Sequence, residues 1–195
     1  MLSGYAALAY SGTCTPSGAS ITFQSDDVFS FWLNGIQIVN GVEAGAIPTS
    51  VDIPIADFEP AGQSNSFAAE VVNNSCCQVG ADWLITVQCS DGSQSYITDA
   101  DSTFTMYDDQ TGGNPPPEES GLAWYQPAYS DPTLFNQTPV DAALSGWWYT
   151  PVTNPENGDP LPVLSHSTTG TQAANGDVET LYFVSDAPLV EQPTP

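Results

Sequence analysis

With 195 residues and 41% hydrophobic content, the chain is long and apolar enough to bury a real core, so it is not a disordered acidic tail. It carries 23 Asp and Glu, one His and neither Lys nor Arg, a formal net charge of -23 at pH 7. Nothing in it can clamp a phosphate, which excludes nucleic acid and disfavours anionic membrane surfaces, and trypsin-like proteases find no cleavage site. The acidity itself reads as solubility and self-repulsion, as divalent-cation binding, or as adaptation to acidic or salty surroundings.

In chain order, residues 5–11 (YAALAYS) alternate loosely and predict an edge strand, and residues 13–19 predict a turn-rich loop holding Cys14. Ile21 and Phe23 form a short β-rich run. Residues 28–33 are apolar on both faces, as in a strand of a covered sheet. Asn34-Gly35 is a strong hairpin signal, with Ile36 and Ile38 alternating in the returning strand. Residues 41–50 predict a loop. Residues 51–55 alternate as a short strand that Pro54 marks as an edge, and residues 58–65 form another loop. Residues 66–72 predict a strand. In residues 83–89 Trp83, Ile85, Val87 and Cys89 alternate with Leu84, Thr86 and Gln88, which predicts a strand with one buried face. Asp91-Gly92 makes a turn, and residues 96–98 and 103–107 are further strand candidates. Residues 110–121 (QTGGNPPPEESG) form a linker or long surface loop. An aromatic-dense, Pro-broken stretch follows, then loop sequence over 154–162 and a last strand over 178–184. No stretch has helical periodicity, so the prediction is an all-β chain of roughly eight to ten short strands, hence a sandwich.

Four cysteines in an Asn-, Ser- and Thr-rich chain point to an oxidising compartment. A vicinal Cys76–Cys77 bridge would be strained. Each is therefore expected to pair elsewhere, with Cys14 and Cys89 as the available partners and one bridge tethering the 73–80 loop; spacing alone leaves the connectivity open. Asn73 and Asn136 sit in N-x-S/T sequons, which makes both candidate glycosylation acceptors. No stretch is long and apolar enough to span a membrane. The start lacks the basic region of a signal peptide, so a secreted form would have had its signal removed or placed outside this chain. The expected location is secreted, extracellular or at the cell surface.

A family pattern is visible over residues 20–105. SDDVFSFWLNG (25–35) resembles the aDD-x-F-x-L-x-L-NG hairpin of galactose-binding-like jelly-roll domains, accessory modules of rhamnosidase-type and other carbohydrate-active proteins. NSFAAEVVN (65–73) is similar to the strand that follows in them, and DWLITVQCSDGSQSYITD (82–99) to their next segment. LAWYQPAYSD (122–131) and ETLYFVSDAPL (179–189) also resemble family segments, but ones that usually precede the DD…NG hairpin; Val184 stands where the family has Arg. The resemblance implies a jelly-roll β-sandwich in permuted or tandem-cut order. Residues 1–109 would be its first part, 110–121 a linker, and 122–195 the remaining strands of the same or the next sandwich. The strand at 178–184 should then sit beside the strand leading into Ile21. It would either close its own fold or enter a neighbour, and a heterologous contact of the second kind builds a filament.

Catalytic signals are weak. Nucleophile-elbow, metalloprotease and phosphate-loop motifs are absent, and His166 stands alone in a Ser/Thr-rich loop. Asp26-Asp27 and Asp108-Asp109 could serve glycoside hydrolysis, but neighbours on a strand point to opposite faces. Cys76-Cys77 with one distant His does not make a zinc site. A structural calcium is the cofactor expected if there is one, with Asp99 and Asp101 as the best local pair and Asp26 and Asp27 as the second; solvated turn acids are the plainer reading. Trp32 and Trp83 read as core. Trp124, Tyr125, Trp147, Trp148 and Tyr149 lie in loop-like sequence, where they would either stack on sugar rings or pack the fold. The expectation is a non-enzymatic extracellular structural protein that polymerises with itself head to tail; the alternatives are a glycan-binding module and, third, a glycoside-active enzyme.

Overall fold

The computed structural model describes residues 14–43, 47–74, 79–98, 104–109, 114–141, 152–155, 158–165 and 179–188. The described strands are β1 (Pro16–Asp26), β2 (Val28–Leu33), β3 (Ile36–Glu43), β4 (Thr49–Asp52), β5 (Ser64–Asn73), β6 (Gly80–Cys89), β7 (Gln94–Thr98), β8 (Thr105–Asp109), β9 (Val140–Asp141), β10 (Leu164–Ser165) and β11 (Glu179–Pro188). They form two antiparallel sheets that pack face to face, an all-β sandwich. The first sheet runs β4-β1-β6-β10-β9, with β7 also paired to β6; the second runs β3-β2-β5-β11-β8. Strands from both ends of the chain therefore share both sheets. Among the described residues no helix is long and apolar enough to cross a membrane.

The core lies between the sheets. Phe29, Phe31 and Leu33 of β2, Phe67 and Val71 of β5, and Leu181 and Phe183 of β11 are all fully buried. They face Ile21, Phe23, Trp83 and Ile85 of the other sheet. Phe23 stacks on Phe29 at 4.5 Å, and Phe104 and Phe183 meet Trp83 edge-on at 5.3 and 5.4 Å. The alternation of β2 explains why it is apolar on both faces. Its even-numbered Trp32 turns outward but is also covered, at 8% exposure, by the aromatic stretch described below.

The β2–β3 hairpin turns at Asn34 (φ 51°) and Gly35 (φ 81°), the two left-handed positions that such a two-residue turn requires. The Asn34 side chain then locks the turn to the rest of the sheet. Its Nδ2 donates to Asp57 O and Asn65 Oδ1, and its Oδ1 accepts from Ser66 N, at 2.8 to 2.9 Å. A second glycine matters by closeness. A Cβ on Gly80 would lie 2.9 Å from Val163 Cγ1, so only glycine lets β10 approach β6 there.

Several expectations are corrected. The predicted 13–19 loop is strand from Pro16 onward, because β1 pairs along the length of β6 from Asp26–Gly80 to Pro16–Cys89, with an irregularity at Pro16 and Gly18. The same register overturns the expected disulfides. It carries the start of β1 to the far end of β6, and Cys14 bonds Cys89. The 73–80 connection lies at the opposite end, where Gly80 pairs with Asp26. Neither Cys76 nor Cys77, which lie outside the described residues, is joined to Cys14 or Cys89. β3 continues through Gly41 to Glu43, in part of the predicted 41–50 loop. β6 is covered on both faces at its start, since Leu84 packs outward against Val152 and Leu161. The last strand does not sit beside β1. It lies in the other sheet, between β5 and β8. The edge strand expected over residues 5–11 falls outside the described residues.

Two stability predictions follow from these contacts. The Cys14–Cys89 bridge closes a 75-residue separation, for which loop-closure entropy gives a stabilisation of about 4 kcal/mol. The double variant Cys14→Ala/Cys89→Ala should lose about that much in urea unfolding, and reducing agent should have little further effect on it. Asn34→Ala removes three hydrogen bonds and puts a β-carbon residue without local support at positive φ; it should cost about 3 kcal/mol.

Candidate functional site

The outer face of the second sheet carries the most chemically varied surface of the described residues. Register sets its composition. Ser30 of β2, Glu70 of β5, Tyr182 of β11 and Tyr107 of β8 are successive Cα partners, so they form one row across four strands. Trp32, Ala68 and Val184 make the next row. Glu70 is held by the hydroxyls of Ser30 and Tyr182, and Ser30 Oγ accepts from Gly41 N at 3.1 Å. Burial raises the Glu70 pKa, which those two hydrogen bonds partly offset. Burial, followed by the charges of Glu70 and Asp109, pushes the Tyr182 phenol far above its usual range.

Residues 114–139 lie across this face. Asp109 Oδ2 accepts from Asn114 N at 2.9 Å and anchors the start, while Gln137 pairs its backbone with Met106 near the end. Between them the aromatic side chains interlock. Trp124 meets Trp32 and Tyr182 edge-on at 5.1 and 5.0 Å, Tyr125 stacks on Trp32 at 5.2 Å, and Phe135 lies 6.5 Å from Trp124. Tyr129 closes the cluster edge-on to Phe135 at 5.9 Å and donates its hydroxyl to Pro117 O.

Beside Trp124 the covering segment and the sheet do not meet. They leave an open cavity of about 290 Å³, walled by Trp124, Gln126, Tyr129, Asp131 and Phe135 and floored by the β11 end at Val184 to Asp186. Asp131 Oδ1 accepts from Thr133 N, Thr133 Oγ1 and Leu134 N. The hydroxyl of Thr133 is the main cause of an Asp131 pKa below the usual value. Burial, then the charges of Asp131 and Glu119, raises the Tyr129 phenol.

The residues singled out in the sequence fall in different places. Trp124 is only 5% exposed, so protein takes most of its ring surface. Tyr125 is half-buried on Trp32. Trp147, Trp148, Tyr149, His166, Asp99 and Asp101 lie outside the described residues. Asp26 ends β1, and Asp27 joins it to β2. Burial, then the hydrogen bond and charge of Asp27, raises the Asp26 pKa to about 7, while Asp27 Oδ2 accepts from Asn74 N. Among the described residues no three His, Cys, Asp or Glu side chains converge as metal ligands. One sequon is corrected: Asn73 is fully buried on the inner face of β5, opposite Glu179, and a glycan on its Nδ2 would have no route to solvent. Asn136 is exposed, its Nδ2 donating to Thr133 O.

Sequence reasoning missed Glu70, Tyr182, Tyr129, Asp131 and Asp186. A signal existed for two of them. Glu70 interrupts an apolar strand between Ala69 and Val71, and Tyr182 alternates with Leu181 and Phe183, so both had to face away from the core. Tyr129, Asp131 and Asp186 come together only through tertiary packing.

The Asp26–Asp27 pair gives the fold a pH dependence. The folded protein holds a proton on Asp26 that the unfolded chain, titrating near 3.8, has released. Stability should therefore fall as pH rises from about 4 to about 7, and Glu70 adds in the same direction. Tm is expected to be several degrees higher at pH 5 than at pH 8, and Asp26→Asn should flatten most of that difference. A Tm that rises with pH over this window would contradict it.

Compared with known proteins, the chain matches no family model, no curated protein and no solved structure. The resemblance to galactose-binding-like modules thus rests on the residues that carry it.

Proposed function

We propose that the chain is a non-enzymatic extracellular structural subunit, a galactose-binding-like jelly roll in permuted order, that assembles head to tail by exchanging β11. The observation that carries this reading is the place of the last strand. β11 pairs over ten positions with β5 and five with β8, and both partners precede it in the chain. A neighbour's β11 would fill the same slot with the same hydrogen bonds and the same inward Leu181 and Phe183. Exchange therefore alters no contact within the slot. It asks only that the chain between Ser165 and Glu179 run to the next subunit, and that stretch can extend to roughly 45 Å.

Composition supports the same reading. A copy of this chain cannot offer its neighbour a Lys or Arg ion pair, so main-chain ladders and apolar contacts are the available adhesives. The Cys14–Cys89 bridge fits an oxidising, extracellular setting. Mutual repulsion at -23 per subunit should make assembly favour acidic pH or added salt.

The test is a crosslink at register partners. Ser66 and Asp186 face each other across β5 and β11. In the variant Ser66→Cys/Asp186→Cys, oxidation should give a ladder of multimers on non-reducing gels, with polymers visible by negative-stain microscopy in the native material. Crosslinked monomers alone, with monodisperse light scattering from pH 4 to pH 8, would overturn the assembly reading.

A further inference from the structure

We propose that the cavity between the outer face of β11 and residues 124–135 binds an alkylated ammonium group supplied by a molecule other than this protein. The proposal does not depend on assembly. The walls carry two features that suit such a cation and little else. The first is aromatic surface: the part-exposed ring of Tyr129 lines the space, backed by the buried rings of Phe135 and Trp124 against which it is packed, so the wall is held in place before binding. The second is negative charge: Asp131 and Asp186 both line the space. Asp131 is held in place by three donors on one oxygen, and its low pKa keeps it ionised at neutral pH.

Other ligand classes fit less well. An anion meets two carboxylates in a chain of net charge -23 with no compensating Lys or Arg. A hard divalent ion needs six or more oxygens at about 2.3 to 2.6 Å, whereas this space is about 290 Å³ and its carboxylates are two, Asp131 and Asp186. A neutral saccharide would leave the carboxylates of Asp131 and Asp186 without a counter-charge. A bulky, weakly hydrated ammonium gains from both the rings and the acids. Its source is also constrained: a second copy of the chain has no Lys or Arg to insert, so the cation comes from a small molecule or from a lysine of a different protein.

Isothermal titration of the full chain with choline tests this. Its carbon isostere, 3,3-dimethylbutan-1-ol, has the same shape without the charge. Choline should bind saturably and weaken with salt, and the isostere should bind at least about 10-fold more weakly. Asp186→Asn and Tyr129→Leu should each lower choline affinity several-fold at unchanged far-ultraviolet dichroism. Asp186 is exposed on a strand end, so its variant keeps the test independent of folding. Nα-acetyl-lysine amide separates the sources: tighter binding of the primary ammonium points to a lysine-bearing protein, tighter binding of choline to a free quaternary ammonium. Equal binding of choline and isostere, binding of methyl glycosides alone, or no binding of either ammonium would overturn the proposal.

Discussion

The pairing of β11 with β5 and β8 is the constraint on which the rest of the structure depends. Its inward residues, Leu181 and Phe183, complete the core around Trp83, while its outward Tyr182 supports Trp124 and Tyr107 on the opposite face. One strand thus serves both the core and the outer aromatic cluster. Its partners in β5 lie more than a hundred residues earlier in the chain, so the pairing must offset the entropy of closing a long loop. Without β11, β5 and β8 would present an open slot with unpaired backbone groups, the kind of edge that another chain can fill.

A protein without Lys or Arg must hold its buried acids by other means. Here backbone amides and shared protons replace ion pairs. Asp82 Oδ2 accepts from Val152 N and Asp109 Oδ2 from Asn114 N, so each acid on a strand holds the backbone of a residue outside its sheet. Glu70 relies on two hydroxyls, and Asp26 on a proton held beside Asp27. Neutral donors stabilise a carboxylate less than a cation does, which is why burial pushes Asp26 and Glu70 upward instead of a partner pulling them down. The fold is thereby tuned toward acidic conditions by the same composition that denies it salt bridges.

Local chemistry was legible; long-range register was not. Residues 28–33, the Asn34-Gly35 turn and the alternation of residues 83–89 carry their structure in side-chain period and turn type, and they form strand, turn and strand, although Leu84 is covered on the face of β6 that the alternation predicts as open. The sequence around Pro16 and Gly18 reads as turn because its strand is imposed by pairing with β6. The cysteines were misjudged for a related reason: nearness in sequence suggested a bridge to the 73–80 loop, whereas an antiparallel ladder joins opposite ends. Over residues 124–135 the aromatic stretch is irregular backbone, as read, yet its composition could not say whether the rings faced water or the sheet. That depended on an outer face apolar enough to bury them, set by Trp32, Ala68 and Val184 from three different strands.

The same covering explains why a cavity stands where it does. Trp124 and Phe135 seat on the rows formed by Trp32, Ala68 and Tyr182, where register supplies apolar floor. Toward the end of β11 the outward residues become Ser66 and Asp186, and apolar rings gain nothing by descending onto them. The segment instead turns at Asp131, whose oxygen caps the backbone of Thr133 and Leu134, and the gap remains between the aromatic wall and the polar floor. A void of that origin is not a packing fault to be closed by a larger side chain. Filling it with apolar volume would take the carboxylates of Asp186 and Asp131 out of water, a cost that opposes the gain from the added contacts. Its acids and rings suit an ammonium of the kind that, with neither Lys nor Arg, no side chain here supplies.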